Sequence, residues 1–166
     1  MDNFIRMSND ERQLYFEQAQ SKLGLPPISI EKDFWVSWTL WKLFSLPGWG
    51  KQLIFKGGTS LSKGWGLIER FSEDIDIVID RDYLGFSGEK SPEKAPSKKQ
   101  LKKRLDELKE TCRSSIHMKL KPAIEQSFTK SLPSGIEWSL KYCLARRRSR
   151  RADLVISISE NLGWRC

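Results

Sequence analysis

Residues 74–80 read DIDIVID, and this alternation constrains the chain more than any other feature of it. A period of two belongs to a β-strand, whose successive side chains leave opposite faces. Ile75, Ile77 and Ile79 are therefore expected to face a core, and Asp74 and Asp76 to leave together from the other face. Two carboxylates so placed repel each other unless a cation neutralises them.

The residues upstream suggest which cation. "QLIF" at 52–55 reads as a short strand, "GGTSLSKGW" as a turn entering a helix, and "DIDIVID" as a second strand. Carboxylates two apart on a strand can share a divalent metal. Hard Mg²⁺ (or Mn²⁺) favours one or two carboxylates together with substrate phosphates. Gly57 and Gly58 let the backbone approach a phosphate closely, and Thr59 and Ser60 at a helix start can add hydroxyl and amide donors. Lys56 and Arg70 stand where cations could meet the remaining phosphate charge. A single DxD is often a polar sheet edge and a single GGTS often a plain turn; their order in one segment is what makes them specific. The spacing is not that of a P-loop, because "GGTSLSKG" lacks GxxxxGK[ST].

The rest of the chain supplies a frame for this segment. Ser8 and Glu11 have capping-box spacing, Tyr15, Ala19 and Leu23 follow at helical intervals, and Gly24 ends the run. A second helix is expected from Ser29 to the Pro47–Gly48 stop. Its apolar residues cover nearly all sides, so it belongs in the core, with its tryptophans packing there instead of stacking on bases. Residues 85–99 are turn-rich and read as a mobile loop. Leu101, Leu105, Leu108, Cys112, Ile116 and Leu120 then mark a long amphipathic helix with a basic outer face, interrupted near Pro122. "GIEWSLKYCL" at 135–144 and "DLVISIS" from Asp153 have strand character.

Composition narrows the class. The 166 residues suffice for one domain with a core. Three cysteines without CxxC spacing and one histidine argue against structural zinc and His-based triads, and favour a reducing, cytoplasmic setting. No apolar run reaches membrane-spanning length, and the acidic start is unlike a signal peptide. Net charge is +8 and invites a nucleic-acid partner. Residues 141–166 hold seven Lys/Arg against two acids, so most of that charge sits at the end of the chain.

At "FKGGTSLSKGWGLIERFSEDIDIVI" the sequence resembles the AbiEii/AbiGii toxin family, whose pattern is KGGT-S/A-L followed by R-F/I-S-x-D-I-D. "IEKDFWV" at 30–36 and the helix from Lys98 also resemble that family, so the likeness covers about residues 25 to 140. It implies an α/β (α+β) nucleotidyltransferase fold, a mixed sheet flanked by helices. It also implies metal-dependent transfer of a nucleotide from an NTP to RNA, with tRNA as the acceptor, under the restraint of an antitoxin. By position, Asp74 and Asp76 would hold the metal, and Gly57, Gly58, Thr59 and Ser60 would line the triphosphate. Arg70 and Ser72 would brace the loop, with Lys56 either in phosphate contact or merely ending the strand.

The resemblance implies a third acid on a later strand, and Asp153 is the late acid in strand context. On this reading residues 1–140 form the nucleotidyltransferase core and 141–166 an atypical Arg-rich tail. The tail reads as the mark of a shortened or frameshifted copy, or alternatively as an RNA contact. Two other functions stand beside the enzyme: a remnant that binds nucleotide or a partner without turnover, and a basic RNA-binding module. Substituting Asp74 and Asp76 separates them, since only the last would keep its ligand binding unchanged.

Overall fold

The computed structural model describes residues 1–67, 75–134, 136, 138–144 and 152–158, with backbone alone for 139–144 and 152–158. It opens with a short helix, α1 (Asp2–Ile5), followed by α2 (Asn9–Leu23) and α3 (Pro27–Phe44). The capping box forms as expected: the Glu11 amide donates to the Ser8 hydroxyl and the Ser8 amide to the Glu11 carboxylate. Gly24 closes α2 in the left-handed region, at φ 67°. Pro27 starts α3 two residues ahead of the expected Ser29, because proline at the first helical position loses no intrahelical bond.

Helix α3 is the spine of the core. Trp35, Val36, Trp38 and Leu43 are buried, and Trp38 packs against Phe128 at 5.1 Å between ring centroids. Trp41 and Phe44, expected inside, are partly exposed. Lys42 lies over Trp41 at 4.5 Å and pairs with Asp2, which ties α1 to α3. Arg12, buried between α2 and α1, donates to the carbonyls of Ile5 and Met7.

Strand β1 (Leu53–Lys56) runs into α4 (Gly57–Thr59), which widens into a π-helical turn over Ser60–Gly64. The chain returns as β2 (Asp76–Ile79), antiparallel to β1, with Lys56 opposite Asp76 and Ile54 opposite Val78. Strands β3 (Trp138–Leu144) and β4 (Ala152–Ile158) complete a four-stranded sheet in the order β1-β2-β4-β3. The mixed sheet of the sequence reading is not what forms: every described pairing is antiparallel. Consecutive strands with a short connection, as β3 and β4 have, pair antiparallel, whereas a parallel pair needs a long crossover. The boundary drawn at residue 140 falls inside β3, and both late strands share one sheet with β1 and β2.

Ile75, Ile77 and Ile79 turn into the core with Trp38, Leu43 and Phe128, as the alternation requires. The polar stretch expected as a loop forms two 3-10 turns, Gly88–Lys90 and Pro92–Lys94. They are pinned where Arg81 pairs with Glu93 and where Arg104 donates to the Ser91 carbonyl at 2.8 Å. The long helix is α5 (Lys98–Ser115), continued by a π-helical turn (Ile116–Leu120) into α6 (Lys121–Ser131). Pro122 does not end it. The interruption expected there is the wider turn just ahead of it, after which α6 follows with the proline in its first turn, where a missing N–H costs no intrahelical bond.

Candidate functional site

The site is built where β1 ends. Lys56 is the last residue of β1, and Gly57 follows with φ 75°, a conformation glycine adopts without strain. That turn brings the Gly57 Cα against the Asp76 side chain. A Cβ placed on Gly57 would lie 2.0 Å from Asp76 Oδ2, closer than any two such atoms approach. The Asp76 carboxylate thus rests on bare backbone, with Lys56 opposite it in the strand pair. Lys56 is half-buried, Gly57 exposed and Gly58 half-buried.

Thr59 and Ser60 are placed differently from a surface phosphate loop. Thr59 is 1% exposed and Ser60 is buried too, and the Ser62 hydroxyl donates to the Thr59 carbonyl. Both side chains are enclosed in the protein, and within Gly57–Ser60 the exposed residue is Gly57. Asp74, Arg70 and Ser72 lie outside the described residues, as do the arginines at 146–148 and 150–151.

Asp153 enters the picture through register. Ile77 pairs with Leu154 in the antiparallel β2–β4 ladder, which sets position 153 opposite Val78. Val78 and Asp76 are two apart on β2, so positions 76 and 153 belong to the same sheet face on neighbouring strands. Diagonal positions of this kind are about 7–8 Å apart between Cα atoms. Nothing in the sequence around Asp153 reveals this proximity; it depends on β4 inserting between β2 and β3.

One cation of the motif has another task. Lys63 donates to the Asp33 carboxylate and to the Ser37 hydroxyl of α3, the latter at 3.1 Å. Lys63 is thereby a strut between the glycine turn and the helix that carries "IEKDFWV", and sequence reasoning overlooked it. The only hint was that both segments belong to the same resemblance. On the same sheet face as Asp76, a cavity of about 700 Å³ opens between Ile54, Lys56 and Val78 on one side and Leu101, Leu105 and Leu108 of α5 on the other.

Among the described residues, no three His, Cys, Asp or Glu side chains gather into a metal site. Asp76 offers one hard oxygen donor beside an exposed glycine backbone. That donor chemistry suits Mg²⁺ or Mn²⁺, which bind through one or two carboxylates and take further oxygens from water and phosphate.

An α/β chain with a glycine turn clasped to a strand aspartate belongs to a class in which the site, more than the overall fold, identifies the activity. Over residues 38–159, well over half its length, the chain matches the family of nucleotidyl transferase AbiEii toxins of type IV toxin–antitoxin systems, and it belongs to that family. No curated protein and no solved structure matches it. The match begins after "IEKDFWV" and continues through β3 and β4, past residue 140, where the sequence reading placed the end of the likeness. No helix among the described residues is long and apolar enough to cross a membrane.

Proposed function

We propose that this protein is a cytoplasmic, Mg²⁺- or Mn²⁺-dependent nucleotidyltransferase toxin that moves a nucleotide from an NTP to RNA, with tRNA as acceptor, and that a cognate antitoxin restrains it. The observation that carries the reading is the packing of the Asp76 carboxylate on Gly57 beside Lys56. It gathers a metal-binding oxygen, close backbone access and a cation at one strand end. Family membership supports the transferase class.

In this mechanism Asp76, together with Asp74, would hold the metal, which when bound would supply neutralisation of triphosphate charge for in-line displacement. Lys56 faces the phosphate charge that remains, and Gly57–Gly58 allows the backbone close to it. By family position Arg70 and Ser72 would brace the loop, and Thr59 and Ser60 would complete it beneath the triphosphate. Asp153, on the face of Asp76, accepts the proton of the attacking RNA hydroxyl. The hydroxyl oxygen bonds to the α-phosphorus, the bond from that phosphorus to the bridging oxygen breaks, and pyrophosphate leaves with the electron pair.

Labelled nucleotide from each NTP, supplied with Mg²⁺ and bulk tRNA, tests the proposal against Asp76→Ala. Label on tRNA with the native chain and its loss in the variant is the expected result. A folded native chain that binds NTP and transfers nothing would overturn the enzyme reading in favour of nucleotide binding without turnover.

A further inference from the structure

The first two turns of α5 carry Lys98, Lys99, Lys102, Lys103 and Arg104, and no acid stands in the first turn. Helix N-termini are electropositive, so cations gathered there work against the helix and call for an anion. The basic residues divide between the flank of an apolar stripe and the face turned away from it. At 100° per residue, Lys98, Lys102 and Lys109 fall within an arc of about 40°, next to the apolar stripe of Leu101, Leu105 and Leu108. On the face turned away from that stripe Lys103 pairs with Glu107, whereas Lys98, Lys102 and Lys109 have no ion pair among the described residues.

Two of these three lysines border the cavity. Lys98 and Lys109 both line it, as do Leu101, Leu105 and Leu108, and Lys56 lines it from the sheet. The stripe is about 16 Å long at the rise of an α-helix. Lysines in file beside an apolar wall match a single nucleic-acid strand, whose phosphates seek cations while its unpaired bases seek apolar surface. A duplex keeps its bases stacked inside and has no use for such a wall.

We infer that the groove between α5 and the sheet receives the single-stranded end of the RNA acceptor. Its phosphates run along Lys98, Lys102 and Lys109, its bases lie against Leu101, Leu105 and Leu108, and its terminus is led towards Lys56 and Asp76. The inference rests on the nucleotidyltransferase reading for the direction of the strand and on the stripe itself for its binding.

The test uses the full chain and two charge-matched double variants, Lys98→Glu with Lys102→Glu on the flank of the apolar stripe and Lys99→Glu with Lys103→Glu on the face turned away from it. Fluorescence anisotropy would follow a short labelled single-stranded RNA and a blunt RNA hairpin over a range of salt concentrations. The first pair should weaken single-strand binding more than about tenfold and flatten the salt slope by about 1.4, since each single-strand phosphate contact adds about 0.7. The second pair should weaken it less than about threefold. Equal losses in both pairs, or tighter binding of the blunt hairpin, would overturn the groove. Metal-dependent NTP binding in the same proteins, absent in Asp76→Ala, tests the catalytic reading separately. A chain that keeps NTP binding and shows no flank preference loses only the RNA track.

Discussion

The Asp76 carboxylate fills the space that a side chain on Gly57 would need: a Cβ there would stand 2.0 Å from Oδ2 and 3.0 Å from the carboxyl carbon. Gly57 also holds a φ of 75°, which costs other residues about 1–2 kcal/mol. Gly57→Ala therefore has two separable penalties, one in the backbone and one against the carboxylate. In an Asp76→Ala background the second is relieved, and urea unfolding should show Gly57→Ala costing about 1–2 kcal/mol there and more in the native chain. Nucleotide transfer should fall in Gly57→Ala far beyond what its stability loss explains, because the carboxylate must move aside. Identical costs in both backgrounds would mean that the contact is not strained by the added methyl.

Lys63 stands in the glycine-turn segment, and its side chain reaches Asp33 and Ser37 of α3. Asp33→Asn should then mimic Lys63→Met, each lowering stability by about 0.2–1 kcal/mol, the range for partly exposed pairs. The double variant should be no worse than either single one. NTP affinity measured by calorimetry discriminates further: a strut predicts small, similar losses for both substitutions. A large loss for Lys63→Met alone, with Asp33→Asn silent, would instead make Lys63 a phosphate contact.

What could be read in advance was what is local. Ser8, Glu11 and Gly24 delimit α2 because caps act over three or four residues, and Ile75, Ile77 and Ile79 face the core because a strand alternates. The Gly57–Asp76 clasp was half legible: both residues stood out, while their contact depends on the antiparallel register of β1 and β2. The position of Asp153 beside β2 was not legible, since a strand's partners are chosen by long-range packing. The Lys63–Asp33 pair bridges thirty residues and leaves no periodic trace. The arginines around 146–151 obscured the ending by composition, although the strands on either side of them belong to the sheet and to the family match.

Glu31 is buried on α3, and loss of hydration raises its carboxyl above the usual value of 4.5 in spite of the Trp35 indole N–H and the attraction of Arg12. A carboxyl whose folded pKa is raised binds its proton more firmly in the native state than in the unfolded chain. Its contribution to stability is therefore complete below about 4.5 and is lost as pH rises through the folded value. Glu31→Gln keeps an acceptor for Trp35 and removes the titration. Denaturation from acid to neutral pH should show the variant gaining on the native chain above 4.5 and levelling off once Glu31 is ionised. Parallel curves for the two proteins across that range would exclude Glu31 as a source of the pH dependence.

Asp153 supplies the sharpest test of the general base in the proposed mechanism. Its register position puts it on the face of Asp76, one strand over, where a carboxylate can take up the proton of an attacking hydroxyl without being needed to bind the NTP. Asp153→Asn should then lower the rate of nucleotide transfer by about 10²–10⁴-fold, the usual worth of a positioned general base, while metal-dependent NTP binding stays within about threefold of native. Raising the pH should restore part of the lost rate, because hydroxide can replace a missing base and cannot replace a missing metal ligand. Asp76→Asn should show the opposite division, with NTP binding in Mg²⁺ lost and no recovery at high pH. If Asp153→Asn transfers nucleotide at the native rate, the acid at this position is a strand-end residue and the proton has another acceptor.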